Sequence, residues 1–148
     1  MHYLYSVKIK MLRQLIVTVM GNVDAGKTQL LDTIRTTAIV ESEPGKITKS
    51  IGCSLISTDT IKKICGNLLE KHRISIKIPG FVIIDTPGHS AFTNLRRRSG
   101  NLADIAILVI DINEGIKIQT LECIDILKRY KTPFVVAMNK IDLLAHWN

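Results

Sequence analysis

The sequence predicts an α/β fold, a mostly parallel sheet with helices on both faces, and three observations support this. Four apolar, β-branched runs recur, Leu15–Met20, Phe81–Ile84, Ile105–Ile110 and Phe134–Met138. They lack the alternation of a half-exposed strand, which marks strands covered on both sides. Polar stretches rich in Gly, Asp and Asn follow them, at the end where open α/β sheets place their ligands. Helical patterns lie between, and a chain of 148 residues is one domain large enough for such a core.

Composition narrows the class. The apolar fraction of 46% suits a globular protein, and no apolar run approaches the length needed to cross a bilayer. No basic-then-apolar leader opens the chain, so a secretion signal is not expected. Cys53, Cys65 and Cys123 are dispersed and without metal spacing, and read as reduced cytosolic thiols, mostly buried. A net charge of +7 favours polyanionic partners, a leaning that nucleotide-binding proteins share in any case.

Residues 1–11 read as an extension before the domain. Tyr3, Tyr5, Val7 and Ile9 alternate with polar neighbours, as an edge strand or a frayed terminus would. The domain proper is expected over 12–148. Its first strand, Leu15–Met20, leads into Gly21-Asn22-Val23-Asp24-Ala25-Gly26-Lys27-Thr28. That stretch fits G-x-x-x-x-G-K-[ST], the phosphate-binding loop. Chance would produce it in about one chain in a few hundred of this length, so a mere structural turn is the weaker reading. Gly21 and Gly26 let the backbone turn and approach phosphates. The N–H groups of Asp24, Ala25, Gly26, Lys27 and Thr28 can form an anion nest at a helix N-terminus. Lys27 is placed to reach the β- and γ-phosphates and the Thr28 hydroxyl to ligate Mg²⁺. The helix then carries Leu30, Leu31 and Ile34 on one face.

Ala38–Ser50, with Pro44-Gly45, reads as a loop. Thr48 within it has the position of the threonine that closes over Mg²⁺ and the γ-phosphate in GTPases. Cys53–Ser57 is a short strand. Asp59–Cys65 is an amphipathic helix capped by Thr58 or Asp59 and ending at Gly66, with a further helical turn over 67–72. Ile74–Ile78 alternates, and Pro79-Gly80 turns the chain into the strand Phe81–Ile84.

Asp85-Thr86-Pro87-Gly88-His89 follows that strand. D-x-x-G is common by chance, and its place at a strand's carboxyl end gives it weight. Asp85 is expected to hold Mg²⁺, the Gly88 N–H to touch the γ-phosphate, and the His89 ring to reach the attacking water. Ser90–Ser99 is expected to be a helix. Its Arg96-Arg97-Arg98 reads as a solvated face, with a phosphate-backbone contact as the alternative. Ile116–Tyr130 is a helix with Ile118, Leu121, Ile124, Ile126 and Leu127 inward. Phe134–Met138 delivers Asn139-Lys140-Ile141-Asp142. The Asp142 carboxylate can accept both N1–H and the 2-amino group of guanine, which adenine cannot offer, so an ATPase is disfavoured. Asn139 would bond the base and brace the loop, and the Lys140 stem would pack on the ring. Three motifs in this order predict a P-loop guanine-nucleotide domain.

With those motifs in place, the chain resembles the GTPase domain of the subunit-joining translation initiation factor, called factor five-B in archaea and eukaryotes and factor two in bacteria. The resemblance spans about Leu12 to Trp147. It includes Gly45–Gly52 and Ile64-Cys65-Gly66, the latter similar to the archaeal–eukaryotic branch, and near-continuous matches over 84–100 and 102–120. It implies GTP and GDP as ligands with Mg²⁺, catalysis by His89 and Lys27, and Thr48 as the switch-one magnesium ligand. It also implies an apolar gate of Val23 and Ile47 and a monovalent-cation role for Asp24. A cytoplasmic role on the ribosome follows, with initiator tRNA contacted through domains absent here, and with neither membrane nor DNA as partner. The family usually has histidine at Asn22, histidine or serine at Ala25, glycine at Lys46 and an acid at Ser90. It also continues beyond the N-K-x-D motif into a further strand and helix. The expectation is therefore a truncated domain whose strands Leu15–Met20 and Phe134–Met138 are partly uncovered. An active GTPase module and a fragment that binds guanine nucleotide weakly without catalysis are the two functional readings.

Overall fold

The computed structural model describes residues 12–41, 49–50, 53–84 and 103–145. The elements are β1 (Leu15–Gly21), α1 (Lys27–Glu41), β2 (Lys49–Ser50), β3 (Cys53–Ser57), α2 (Thr58–Lys71), β4 (Gly80–Ile84), β5 (Ile105–Asp111), α3 (Ile118–Arg129) and β6 (Phe134–Asn139), followed by a 3₁₀ turn at Ile141–Leu143. They form one six-stranded sheet in the order β2-β3-β4-β1-β5-β6. β4, β1, β5 and β6 run parallel, and β2 and β3 are antiparallel additions at one edge. This is the expected α/β architecture.

Side-chain alternation divides the core in two. Val17 and Val19 of β1 join Val109, Ile56 and Ile83 beneath Leu31 and Ala38 of α1. On the opposite face, Met20, Ala106 and Leu108 pack with Cys123 and Leu127 of α3. The start of β1 is pinned by Asp104, which accepts from the Ile16 N–H at 2.8 Å and from the Arg13 guanidinium at 2.6 Å.

Several local expectations change. α1 runs to Glu41 and buries Ala38, so the loop expected from Ala38 begins later, and Lys49–Ser50 pairs with β3. α2 continues through Gly66 to Lys71, and its N-cap is Ser57, whose hydroxyl accepts from the Thr60 N–H at 3.2 Å. Residues 74–78 form no strand. α3 begins at Ile118 because the Thr120 hydroxyl turns back to accept from the Lys117 N–H at 3.3 Å. Thr120, Cys123 and Leu127 face inward with Ile124 and Ile126 beside them, while Ile118 (77% exposed) and Leu121 (52%) do not. Cys123 is buried, whereas Cys53 and Cys65 are only half-buried, and all three are free thiols.

The expected uncovering is confined to one strand. β1 is buried between β4 and β5, with Val19 only 2% exposed. β6 pairs on one side only among the described residues, and Val135 and Met138 stand 52% and 59% exposed. Residues 1–11 lie outside the described residues. No helix among those described is long and apolar enough to cross a membrane.

Candidate functional site

The carboxyl ends of β1, β5 and β6 meet at one rim of the sheet. β1 ends at Gly21, where φ is +147° and an added Cβ would lie 2.2 Å from the Val109 carbonyl oxygen of β5. Only glycine lets the loop leave the sheet there. The loop passes through Asp24, itself at φ +62°, and the fully buried Ala25 before α1 begins at Lys27. The N–H groups of the first helical turn therefore open onto the loop, the arrangement that suits an anion. The Lys27 ammonium lies over the loop and donates to the carbonyls of Gly21 (3.1 Å) and Asn22. Thr28 follows in the first turn, with its side chain exposed.

β6 brings the second motif to the same place. Asn139 Nδ2 donates to the Ala25 carbonyl at 2.9 Å, and a Cβ on Gly26 would lie 2.1 Å from that nitrogen. Asn139 thus braces the phosphate loop, and Gly26 is the residue small enough to admit it. Lys140 follows in a left-handed conformation, φ +61°, and its ammonium lies 2.7 Å from Asp111 Oδ2. The hydrogen bond from Lys140 holds the Asp111 carboxyl below its ordinary 3.8, and the Asn113 backbone N–H reinforces this against desolvation. The same bond raises Lys140, with the charges of Asp111, Glu114 and Asp24 adding to it. Asn113 Nδ2 also donates to the Lys140 carbonyl at 3.2 Å. Asp142 sits exposed in the 3₁₀ turn.

A third set of contacts ties the loop to α3. The Val23 N–H donates to Gln119 Oε1 at 3.1 Å, and the Val23 side chain is 61% exposed beside a concavity of about 380 Å³ reaching Glu114 and Lys117.

Asp24, Ala25, Gly26, Lys27, Thr28, Asn139 and Lys140 are therefore gathered at one rim, with Asp142 on the turn that leaves it. Thr48, Asp85, Gly88, His89, Ile47 and Arg96–Arg98 lie outside the described residues. Asp111, Asn113 and Gln119 were not anticipated as parts of the site. Asp111 carried a readable signal, an acid immediately after a buried strand, while Asn113 and Gln119 carried none.

A glycine loop between strand and helix, braced by an asparagine from a parallel strand of the same sheet, defines a P-loop nucleotide-binding domain of the α/β class. The chain belongs to the family described as the elongation factor Tu GTP binding domain, whose model matches residues 12–147. Its relatives include probable translation initiation factor IF-2 of Methanopyrus kandleri, 59% identical over 138 residues, and that of Thermococcus sibiricus, 55% identical over 139. The match covers 93% and 94% of this chain and 23% of each relative. Among solved structures, GDP-bound aIF5B from Aeropyrum pernix is similar at 52% identity and a TM-score of 0.84, covering 93% of this chain and 23% of that one. The chain thus spans about a quarter of the length of the relatives it matches.

Proposed function

We propose that this chain is a GTP-binding and GTP-hydrolysing domain that acts in translation initiation, on the ribosome and in the cytoplasm, in the joining of ribosomal subunits around initiator tRNA. The observation that carries the reading is the Asn139–Ala25 bond, which joins the base-reading motif to the phosphate loop. A nucleotide spanning the two would have its phosphates on Asp24–Thr28 and its base at Asn139, Lys140 and Asp142. Similarity to initiation factors of archaea supports the biological setting, and contact with initiator tRNA would be made through domains other than this one.

The chain's residues fit the nucleotide, because Gly26 admits the Asn139 amide against the phosphate loop and so sets the Asn139–Lys140 turn beside the loop's N–H groups. Thr28, with Thr48 and Asp85, would hold Mg²⁺. When bound, Mg²⁺ would offset the charge of the β- and γ-phosphates. Lys27 would stabilise charge on the same oxygens, the Gly88 N–H would contact the γ-phosphate, and His89 would orient the water that attacks the γ-phosphorus as the bond to the bridging oxygen breaks. Val23 is exposed at the loop, where it would form an apolar gate with Ile47, and Asp24 would help hold a monovalent cation. The second reading, weak guanine-nucleotide binding without catalysis, is favoured by the exposed apolar side chains of β6.

The test is base selectivity. GTP and GDP should bind at least about tenfold tighter than ATP, since the Asp142 carboxylate is left unpaired by adenine. Asp142→Asn should lower guanine affinity and favour xanthine. Equal affinity of the unaltered chain for GTP and ATP contradicts the proposal.

A further inference from the structure

β3 and β4 are antiparallel neighbours, a pairing that a two-residue turn can close. Here residues 58–79 join them, including the four-turn helix α2. The helix is not required to make the connection. It packs on α1 with one side and presents another to solvent, where Leu68 and Ile74 are 58% and 56% exposed.

Between α2 and residues 74–76 lies a concavity of about 480 Å³, lined by Lys62, Gly66, Leu69, Arg73, Ile74 and Ile76, with Glu70 among them. Two of these residues go against local backbone preference. Gly66 sits inside a helix, where glycine is among the least favourable residues, and a Cβ there would meet nothing within 4 Å. Arg73 adopts φ +53° just after the helix, the conformation that favours glycine. Hydrogen bonds from the Arg73 and Ile74 N–H groups to the Glu70 and Leu69 carbonyls, at 3.0 and 2.8 Å, close the helix end at 73, while among the described residues nothing requires a glycine at 66. A partner lying across α2 would account for the glycine, needing small bulk at 66, and would meet the Arg73 charge at the rim of the same concavity.

Charge selects the partner. Residues 58–79 carry Lys62, Lys63, Lys71, Arg73 and Lys77 against Asp59 and Glu70. Neither Lys62 nor Arg73 pairs with a carboxylate among the described residues. A basic rim around an apolar floor, with one point of close backbone approach, complements an amphipathic helix whose apolar stripe is flanked by acids. We propose that this groove docks an acidic amphipathic helical segment of a partner protein, at a site separate from the nucleotide loop.

The test uses the full chain and a fluorescein-labelled 18-residue synthetic helix with one leucine stripe flanked by glutamates, read by anisotropy. A scrambled peptide of the same composition and a 20-nucleotide polyuridylate serve as competitors. The helical peptide should bind at least about tenfold tighter than the scrambled one, and Arg73→Glu should weaken it about tenfold. Gly66→Gln should abolish binding while leaving the melting temperature equal or higher, because glutamine favours the helix more than glycine does. GDP affinity should be unchanged in both variants, which separates failure here from failure of the nucleotide reading. Full binding by Gly66→Gln, equal binding of the scrambled peptide, no binding of the helical peptide, or tighter binding of polyuridylate through Arg73 overturns the proposal. The last result would make the face an RNA surface.

Discussion

Strands β1 and β6 are built from nearly the same kinds of residue and have opposite surroundings. Each ends at the candidate nucleotide site, β1 at the phosphate loop and β6 at the Asn139-Lys140 turn. β1 lies between two parallel neighbours with a helix over each face, and Val17, Thr18, Val19 and Met20 are all buried. Among the described residues β6 has one neighbour, and Phe134, Val135, Val136 and Met138 are exposed. The phosphate half of the site therefore rests on the core. The base half rests on one ladder of strand hydrogen bonds and a few side-chain contacts. In a sheet, a strand's own composition says that it wants cover, and its neighbours decide whether it has it.

The largest expected effect is in the core beneath β1. Leu31→Ala removes a fully buried side chain against Val17 and Val19 and should cost about 2–5 kcal/mol. Val136→Ala on β6 should change stability by no more than about 0.5 kcal/mol. Urea denaturation of both variants measures the contrast, and comparable losses would erase it.

Next is the link between the halves. Asn139→Ala deletes the bond to the Ala25 carbonyl, worth about 1 kcal/mol. It should lower GDP affinity about fivefold or more, seen by titration calorimetry. An unchanged affinity would mean that the loop holds its shape unaided.

The smallest effect is electrostatic, and each strand has its own anchor. Arg13 holds Asp104 at the start of β1, and Lys140 holds Asp111 at the end of β6; both carboxyls lie below their ordinary 3.8. A carboxyl lowered by folding contributes stability that is whole above 3.8 and is lost as the pH falls through its folded value. Lys140 is raised above 10.5, so its contribution is whole below 10.5 and is lost as the pH rises through its folded value. Stability should therefore be level from about pH 5 to 9 as far as these pairs are concerned. Asp104→Asn should flatten the acid limb, as followed by thermal melts between pH 2.5 and 7.

The comparison also marks what could be read in the residues. The four apolar runs located β1, β4, β5 and β6 within a residue or two, because short unbroken runs rich in β-branched residues suit strands, although the same pattern in β6 did not foretell its exposure. The glycine loop and the Asn139-Lys140-Ile141-Asp142 turn were legible because phosphate and guanine each demand particular groups at fixed spacing. The inward face of α3 was not. Ile118 and Leu121 are the apolar choice, but the helix packs with a threonine and a cysteine in the core positions. Nor was the Lys140–Asp111 pair legible, since residues distant in the chain meet only once β5 and β6 are in register. The continuation of α2 through Gly66 defied the usual reading of glycine as a helix end, and the same residue now lines the groove beside Arg73.

Hydrogen–deuterium exchange resolved along β1 and β6, with no nucleotide, with GDP and with ADP, tests the central claim most directly. Without nucleotide, β1 amides should exchange at least about tenfold more slowly than those of β6, whose outer edge has no partner strand among the described residues. GDP should slow exchange at residues 21–28 and at 139–142 together, while ADP should slow the phosphate loop at most and leave 139–142 unchanged. Equal protection of the two strands without nucleotide, or equal protection of 139–142 by ADP and GDP, would contradict a guanine site held half by the core and half by an open strand.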